Sequence, residues 1–267
     1  MKVESKTKFS RFMVAVVTTV LVATMAFILV GCGSGEKTTL NILAAASLTD
    51  ALNELNEIYM EANDNIEILP NYASSGNLQT QIEQGAPADV FISAAPKQMN
   101  NLEEKGLILK ETRRNLLTNK VVMIVPNNST LGLTSFTDLT DSKVAKIAIG
   151  DPEFVPVGSY GKLAFEELGI WDELQSKFIL CSDVRQVLSY VEMGNVEAGI
   201  VYSTDAAISG SVKIVADGPD SINSTIVYPA AVVEYSENPE AAGDYLDFLF
   251  SAEAKVILEK YGFAPIG

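Results

Sequence analysis

Short apolar runs alternate with amphipathic segments along nearly the whole chain from residue 40 onward. Residues 40–44 form the first run. Leu48, Leu52, Leu55 and Ile58 then recur at three- and four-residue spacing, which predicts a strand followed by a helix. The same pattern predicts strands over 66–69, 90–92, 120–125, 146–149, 198–202, 212–215, 226–228 and 230–233. Between and after them it predicts helices over 78–84, 97–105, 160–168, 184–193, 239–250 and 252–260. Four of these run into Gly85, Gly106, Gly169 and Gly194, the usual way for a helix to stop. Strands and helices in alternation predict α/β layers around mainly parallel sheets.

Ahead of residue 40 the pattern changes. Lys2, Lys6, Lys8 and Arg11 precede an uncharged, mostly apolar run from residue 13 to 30, which ends in Gly31 and Cys32. A basic start, an apolar centre and small residues at the cut read as an export signal over residues 1–31. A retained membrane anchor is the alternative, because the run nearly reaches bilayer-spanning length. Small residues and Cys32, in place of a basic cluster, follow the run and favour cleavage. Leu29-Val-Gly-Cys32 resembles the lipobox of bacterial lipoproteins, which implies lipid on Cys32 and a flexible tether over residues 32–37. Cys181 is the only other cysteine, so no disulfide or cysteine metal site forms within the chain. Beside Ile179 and Leu180 it reads as a small buried residue.

Charge narrows the field. The chain has 19 Lys and Arg against 34 Asp and Glu, no histidine, and a formal charge of −15. Removing residues 1–31, with their four positive charges and Glu4, leaves 236 residues carrying −18. That surface repels nucleic acid. Without histidine, Ser-His-Asp, Cys-His and histidine-zinc chemistry are excluded.

Candidate chemistry gathers where strands hand over to helices, the place where open α/β sheets hold ligands. At Ala44-Ala-Ala-Ser47, Ser47 is expected to cap the next helix, with Asp50 completing a capping box. Residues 72–77 are again small and hydroxylic. In residues 150–159, Pro152 and Pro156 stiffen a loop before Gly158-Ser159 opens a helix. At Ser182-Asp-Val-Arg185, Ser182 is the expected cap and Val184 offers a first-turn amide. The fifth junction, residues 201–205, ends its strand in the phenol of Tyr202. Backbone N–H groups, hydroxyls and positive helix ends together make an anion site. Each junction alone also fits an ordinary cap or turn; the set favours a binding cleft.

Asp50, Asp89, Asp151, Asp183 and Asp205 lie near strand ends, but no nucleophile accompanies them, so no catalytic residue is assigned. Gly158-Ser-Tyr-Gly-Lys162 breaks the spacing of a phosphate-binding loop. Trp171 reads as packing.

An ordered set of motifs now resembles a known family. Ala44-Ala-Ala-Ser-Leu-Thr49, Ala73-Ser-Ser75, Gly85-Ala-Pro-Ala-Asp-Val-Phe-Ile-Ser93, Gly150-Asp-Pro-Glu153 with Val155-Pro156, Asp183-Val-Arg185, Gly199-Ile-Val-Tyr202 and Tyr261-Gly-Phe263 are similar to the molybdate-binding proteins of bacterial ABC importers. The resemblance implies a two-lobed periplasmic-binding-protein fold of type II, each lobe a mainly parallel sheet flanked by helices. Lobe I would comprise residues 38–117 plus 231–267, and lobe II residues 118–230. It implies molybdate or tungstate as ligand, no cofactor, no direct metal ligand, a monomer, and an importer permease as partner. Carried over by position, Ser47 and Ser75 would donate hydroxyls, Val157 and Val184 backbone N–H groups, and Tyr202 its phenol. Val157 stands where the family often has alanine, and Gly76 where some members have serine. Arg185 is expected to steady the loop or the closed lobes; no role is assigned to Glu153.

Such donors carry a selectivity argument. Three alanines let the backbone approach a tetrahedral dianion closely, and a neutral hydroxyl discriminates where a lysine would not. Phosphate near neutral pH keeps a proton and wants an acceptor, which the five donors lack. Sulfate differs from molybdate in size, so it is the alternative ligand. An extracytoplasmic enzyme using carboxylates is the third reading.

Overall fold

The computed structural model describes residues 37–266. The expected export signal, Cys32 and the tether up to residue 36 lie outside them. Among the described residues the strands gather into two sheets. They are β1 Thr38–Ala45, β2 Ile66–Ala73, β3 Val90–Ile92, β4 Arg114–Thr118, β5 Val121–Pro126, β6 Ile147–Gly150, β7 Phe178–Cys181, β8 Ala198–Tyr202, β9 Val212–Asp217, β10 Val227–Val232 and β11 Ala264–Pro265. The first sheet runs β11-β4-β10-β3-β1-β2, and the second β7-β6-β8-β5-β9.

Both sheets are mixed, not mainly parallel. β1 pairs parallel with β2 and β3, and β6 with β7 and β8, while β10 and β5 pair antiparallel with both of their neighbours. Topology explains this. β4 carries the chain out of the first sheet and β10 brings it back, so they run in opposite directions where they pair. β5 and β9 do the same for the second sheet.

The expected boundary at residues 230 and 231 falls inside β10, which belongs wholly to the first sheet. The return crossing therefore lies before Val227, and the outward one is Asn119-Lys120. The run that reads as two strand pieces is one strand because Pro229, which has no N–H to give, stands at a register shift against β4.

The principal helices are α1 Thr49–Ala62, α2 Ser75–Glu83, α3 Pro96–Glu104, α4 Pro156–Glu167, α5 Val184–Glu192, α6 Pro239–Leu249 and α7 Ala252–Lys260. Side chains alternate across β1 as strand geometry requires. Leu43 packs in one core with Leu78 and Ile82 of α2 and Met99 and Leu102 of α3. Ile42 and Ala44 belong to the other, with Leu52 and Leu55 of α1, Leu246 of α6 and Leu258 of α7. Full burial of each such leucine contributes about 1.5–3 kcal/mol. Over the second sheet, α5 buries Val184, Val187, Leu188 and Val191, spaced at three and four residues. Trp171 packs with Phe165 and Phe178, at ring-centroid distances of 6.3 and 4.9 Å. Cys181 is buried, and desolvation pushes its thiol pKa up to about 12.

Candidate functional site

Five strand ends from the two sheets converge. β1 finishes in Ala44-Ala45 and continues through a tight 3-10 turn, Ala46–Leu48, before α1 begins. Ser47 is thus not the helix cap, and the expected capping box with Asp50 does not form. No side chain caps α1, because the turn keeps Ser47 one residue short of the N-cap position. Its Oγ instead lies 3.0 Å from the Tyr228 hydroxyl, with Ser47 only 3% exposed.

β2 leads into α2, whose N-cap is Ser74, the acceptor for Asn77 N–H. Ser75, the next residue, is fully buried, and its Oγ accepts from Ala94 N–H at 2.9 Å. That leaves the Ser75 proton free to donate elsewhere.

β6 leads through residues 151–155 into α4, which opens at Pro156 and not at Gly158. Proline is at home at a first helical position, where no amide proton is needed. Val157 then holds the second position, where helix geometry leaves its N–H without an intrahelical partner. Gly158 permits the tight return of this loop: a Cβ there would sit 1.9 Å from the Gly150 carbonyl oxygen.

β7 leads into α5, capped by Asp183 and not by Ser182. The Asp183 carboxylate accepts from Arg185 N–H at 2.8 Å and Gln186 N–H at 3.0 Å, because Asp183 stands directly before the first helical residue and Ser182 one position too early. Val184 at the first position keeps a free amide. β8 ends in Tyr202, 1% exposed, whose phenol donates to the Ala94 carbonyl at 3.3 Å. Burial holds that phenol pKa well above its ordinary value, so it remains a donor at neutral pH.

Ser47, Ser75, Val157, Val184 and Tyr202 all line one small cavity, with Ala45, Ala46, Ala73, Ala94, Val155 and Asp183 among the remaining wall residues. The cavity is small, about 10 Å³, at the lower limit for holding one water molecule. Neither lysine nor arginine reaches the wall. Asp183 does, a carboxylate residue the sequence reading left out, but its Oδ1 is taken by two amides and its Oδ2 accepts from Ser182 Oγ at 3.3 Å. Glu153 does not line the cavity. Among the described residues no cluster of three or more metal-ligating side chains is found.

Contacts between residues of the first-sheet half and the second-sheet half surround the cavity. Gly76 N–H donates to the Phe154 carbonyl at 2.9 Å, and a Cβ on Gly76 would meet that oxygen at 2.5 Å. Arg185 reaches from α5 to the Ser47 carbonyl at 3.2 Å and to Asp50 Oδ2 at 2.7 Å. On its own side its Nε lies 2.9 Å from Asp205 Oδ1. Both carboxylate approaches are close in distance without hydrogen-bond alignment, so they are charge contacts. Asp205 is fully buried; desolvation raises its pKa to about 7, against the lowering effect of Arg185.

The sequence places Asn119 and Tyr228 at the expected hinge crossings, residues 117–120 and 228–230, but gives them no part in the site. Asn119 lies at the outward crossing and Tyr228 just after the return crossing, so the chain's two passages between sheets were the signal that pointed to them.

The sequence profile of the bacterial extracellular solute-binding proteins matches residues 40–264. A presumed ABC transporter substrate-binding lipoprotein of Bacillus subtilis (strain 168), YvgL, is 44% identical over 263 residues, covering 96% of this chain and 98% of the relative. The molybdate-binding protein ModA of Haemophilus influenzae is 38% identical over 226 residues, covering 84% of this chain and 89% of its own. The substrate-binding domain of a presumed molybdenum ABC transporter from Clostridium difficile superposes with a TM-score of 0.65 at 38% identity, covering 86% of this chain and 99% of that structure. With the two sheets, the cavity between them and these relatives in place, the chain belongs to the bacterial extracellular solute-binding protein family.

Proposed function

We infer that the protein captures molybdate, and with it tungstate, between two lobes and delivers it to the permease of an ABC importer. It works as an extracytoplasmic monomer held to the membrane by lipid on Cys32. The observation that carries this reading is the convergence of five uncharged residues, from both sheets, on one cavity with no cationic side chain; Tyr202 would turn its proton from the Ala94 carbonyl to the ligand on binding. Ser47 and Ser75 come from the first sheet's side; Val157, Val184 and Tyr202 from the second's. Each hydrogen bond to a charged group contributes about 1.5–3 kcal/mol net. About five of them, less the cost of association, support binding in roughly the micromolar to nanomolar range. Lobe I would hold the first sheet and lobe II the second, hinged at residues 119–120 and ahead of Val227.

A solute-binding protein is not an enzyme, and the strand-end aspartates have structural work. Asp89 accepts from Asn41 N–H and Ser236 Oγ, Asp151 from Glu153 N–H, and Asp183 caps α5. Asp50 and Asp205 hold Arg185.

Calorimetric titration of the chain from Ser34 onward with molybdate, tungstate, sulfate and phosphate tests the reading. Tight binding of the first two with phosphate silent is expected. Sulfate bound as tightly as molybdate would replace the ligand while keeping the site, and no binding of any of them would reject the function. Cys32→Ala should release the protein from the membrane fraction.

A further inference from the structure

We propose that Tyr228 and Asn119 are positioning residues that fix the direction of the Ser47 proton and so restrict the cavity to fully deprotonated oxyanions. This deepens the proposed function and rests on it.

Asn119, 6% exposed, sits where the chain leaves the first sheet. Its Oδ1 accepts from Lys120 N–H at 2.8 Å and from Ser203 Oγ at 3.1 Å. Those partners set the orientation of the amide, since a flipped group would turn its NH2 against a backbone N–H. Its Nδ2 therefore donates, to Thr204 Oγ1 at 2.9 Å and to the Tyr228 hydroxyl at 3.2 Å. Tyr228 is fully buried, and its oxygen, accepting from Asn119, still has one proton that needs an acceptor. Ser47 Oγ lies 3.0 Å away, and the neighbouring Tyr202 gives its own proton to the Ala94 carbonyl. Either hydroxyl can donate in that contact, and Tyr202 is a second hydroxyl neighbour of Tyr228; with the Tyr228 proton directed to Ser47, as proposed, the Ser47 proton is left to point into the cavity.

Ser75 reaches the same state by another route, because Ala94 N–H occupies its oxygen. Both hydroxyls are thereby set as donors, although a serine is by nature donor and acceptor alike. An anion that bears a proton meets two hydroxyl oxygens already engaged as acceptors, with their protons turned toward it. The selectivity that the serines alone leave open is written one layer behind them, at the crossings between the sheets.

A double-mutant cycle on the chain from Ser34 onward, read by calorimetry with molybdate, tests the relay. Tyr228→Phe should weaken binding about tenfold in the wild-type background but less than about twofold in the Ser47→Ala background. The same substitution frees Ser47 to accept, so the affinity for hydrogen phosphate relative to molybdate should rise at least about tenfold. Losses that simply multiply, or an unmoved phosphate ratio, overturn the proposal, since a merely structural tyrosine predicts both. If Tyr228→Phe fails to give a wild-type melting profile, Asn119→Ala breaks the same chain one link earlier and enters the cycle in its place. Wild-type protein that binds sulfate and not molybdate would sink the ligand assignment alone, and the cycle is then run with sulfate. Wild-type protein that binds no oxyanion overturns both.

Discussion

Arg185→Ala separates the work of closing the protein from the work of holding the ligand. The guanidinium makes two contacts across the halves, to the Ser47 carbonyl at 3.2 Å and to Asp50 at 2.7 Å. The first is a hydrogen bond from a charged donor with a side chain 25% exposed, worth about 1.5–3 kcal/mol net at full burial and less here. The second is a pair whose Asp50 side chain is 42% exposed, worth about 0–1 kcal/mol. Together they bias the closed form by about 1–3 kcal/mol. With the ligand bound between the halves, as proposed, that bias appears directly as affinity, and the variant should bind molybdate about 5–150-fold more weakly, mainly through faster release. Asp50→Asn removes only the exposed pair and should cost no more than about fivefold. Calorimetry gives the affinity and stopped-flow Trp171 fluorescence gives the release rate. Affinity within twofold of wild type in Arg185→Ala, with the melting temperature lowered, would show that the arginine only supports α5 and would refute the latch.

Ser47→Ala and Tyr202→Phe should each weaken molybdate binding at least about tenfold without unfolding the protein, whereas Val184→Ala should change little because its amide survives; titration of the three decides between donors and wall. Gly76→Ala places a Cβ 2.5 Å from the Phe154 carbonyl and should hold the halves apart, with affinity down by about a hundredfold or more and the fold intact; near-wild-type binding would show that the loop at Phe154 yields. Asp205, with a folded pKa of about 7 against 3.8 free, binds its proton more tightly in the folded state, so its contribution to stability falls as pH rises from about 4 to about 7 and is flat above. Asp205→Asn should remove that slope and gain, relative to wild type, up to about 3 kcal/mol between pH 5 and pH 8 in denaturant melts. Parallel pH profiles would show that Asp205 is not the titrating group.

The strand-end logic was legible because it depends on local chemistry: apolar runs mark strands, and small or hydroxylic residues mark the turns that follow. Where two local solutions compete, sequence chose wrongly. Ser47 and Ser182 are good caps on paper, yet a 3-10 turn displaces the first and Asp183 outcompetes the second. β4 was missed because only Leu116 and Leu117 of its five residues are buried, too short an apolar signal, and β7 because Leu180 faces outward. The mixed pairing of the sheets could not be read at all, since strand direction is fixed by which strands carry the chain across. The pairing of Tyr228 with Ser47 was hidden for the same reason: the two are 181 residues apart.

Arg185, beside the cavity, bears on how a protein of formal charge −15 would hold the proposed dianion. Arg185 is matched by Asp50 and Asp205, so it brings no net attraction to the cavity; its charge joins the halves. On the proposed reading, attraction would be left to fixed dipoles, the first-turn amides of α4 and α5 and the hydroxyls, which act only at contact. A lysine in their place would raise affinity for every anion alike. Surface repulsion is screened within about 8–10 Å in physiological salt, so it costs little once the ligand is inside. Selectivity then depends on proton direction and on size, and both are set by buried groups that water cannot rearrange. The acidic surface and a site without cations are therefore compatible: on the proposed reading the first repels nucleic acid, and the second would favour a ligand whose every oxygen can accept.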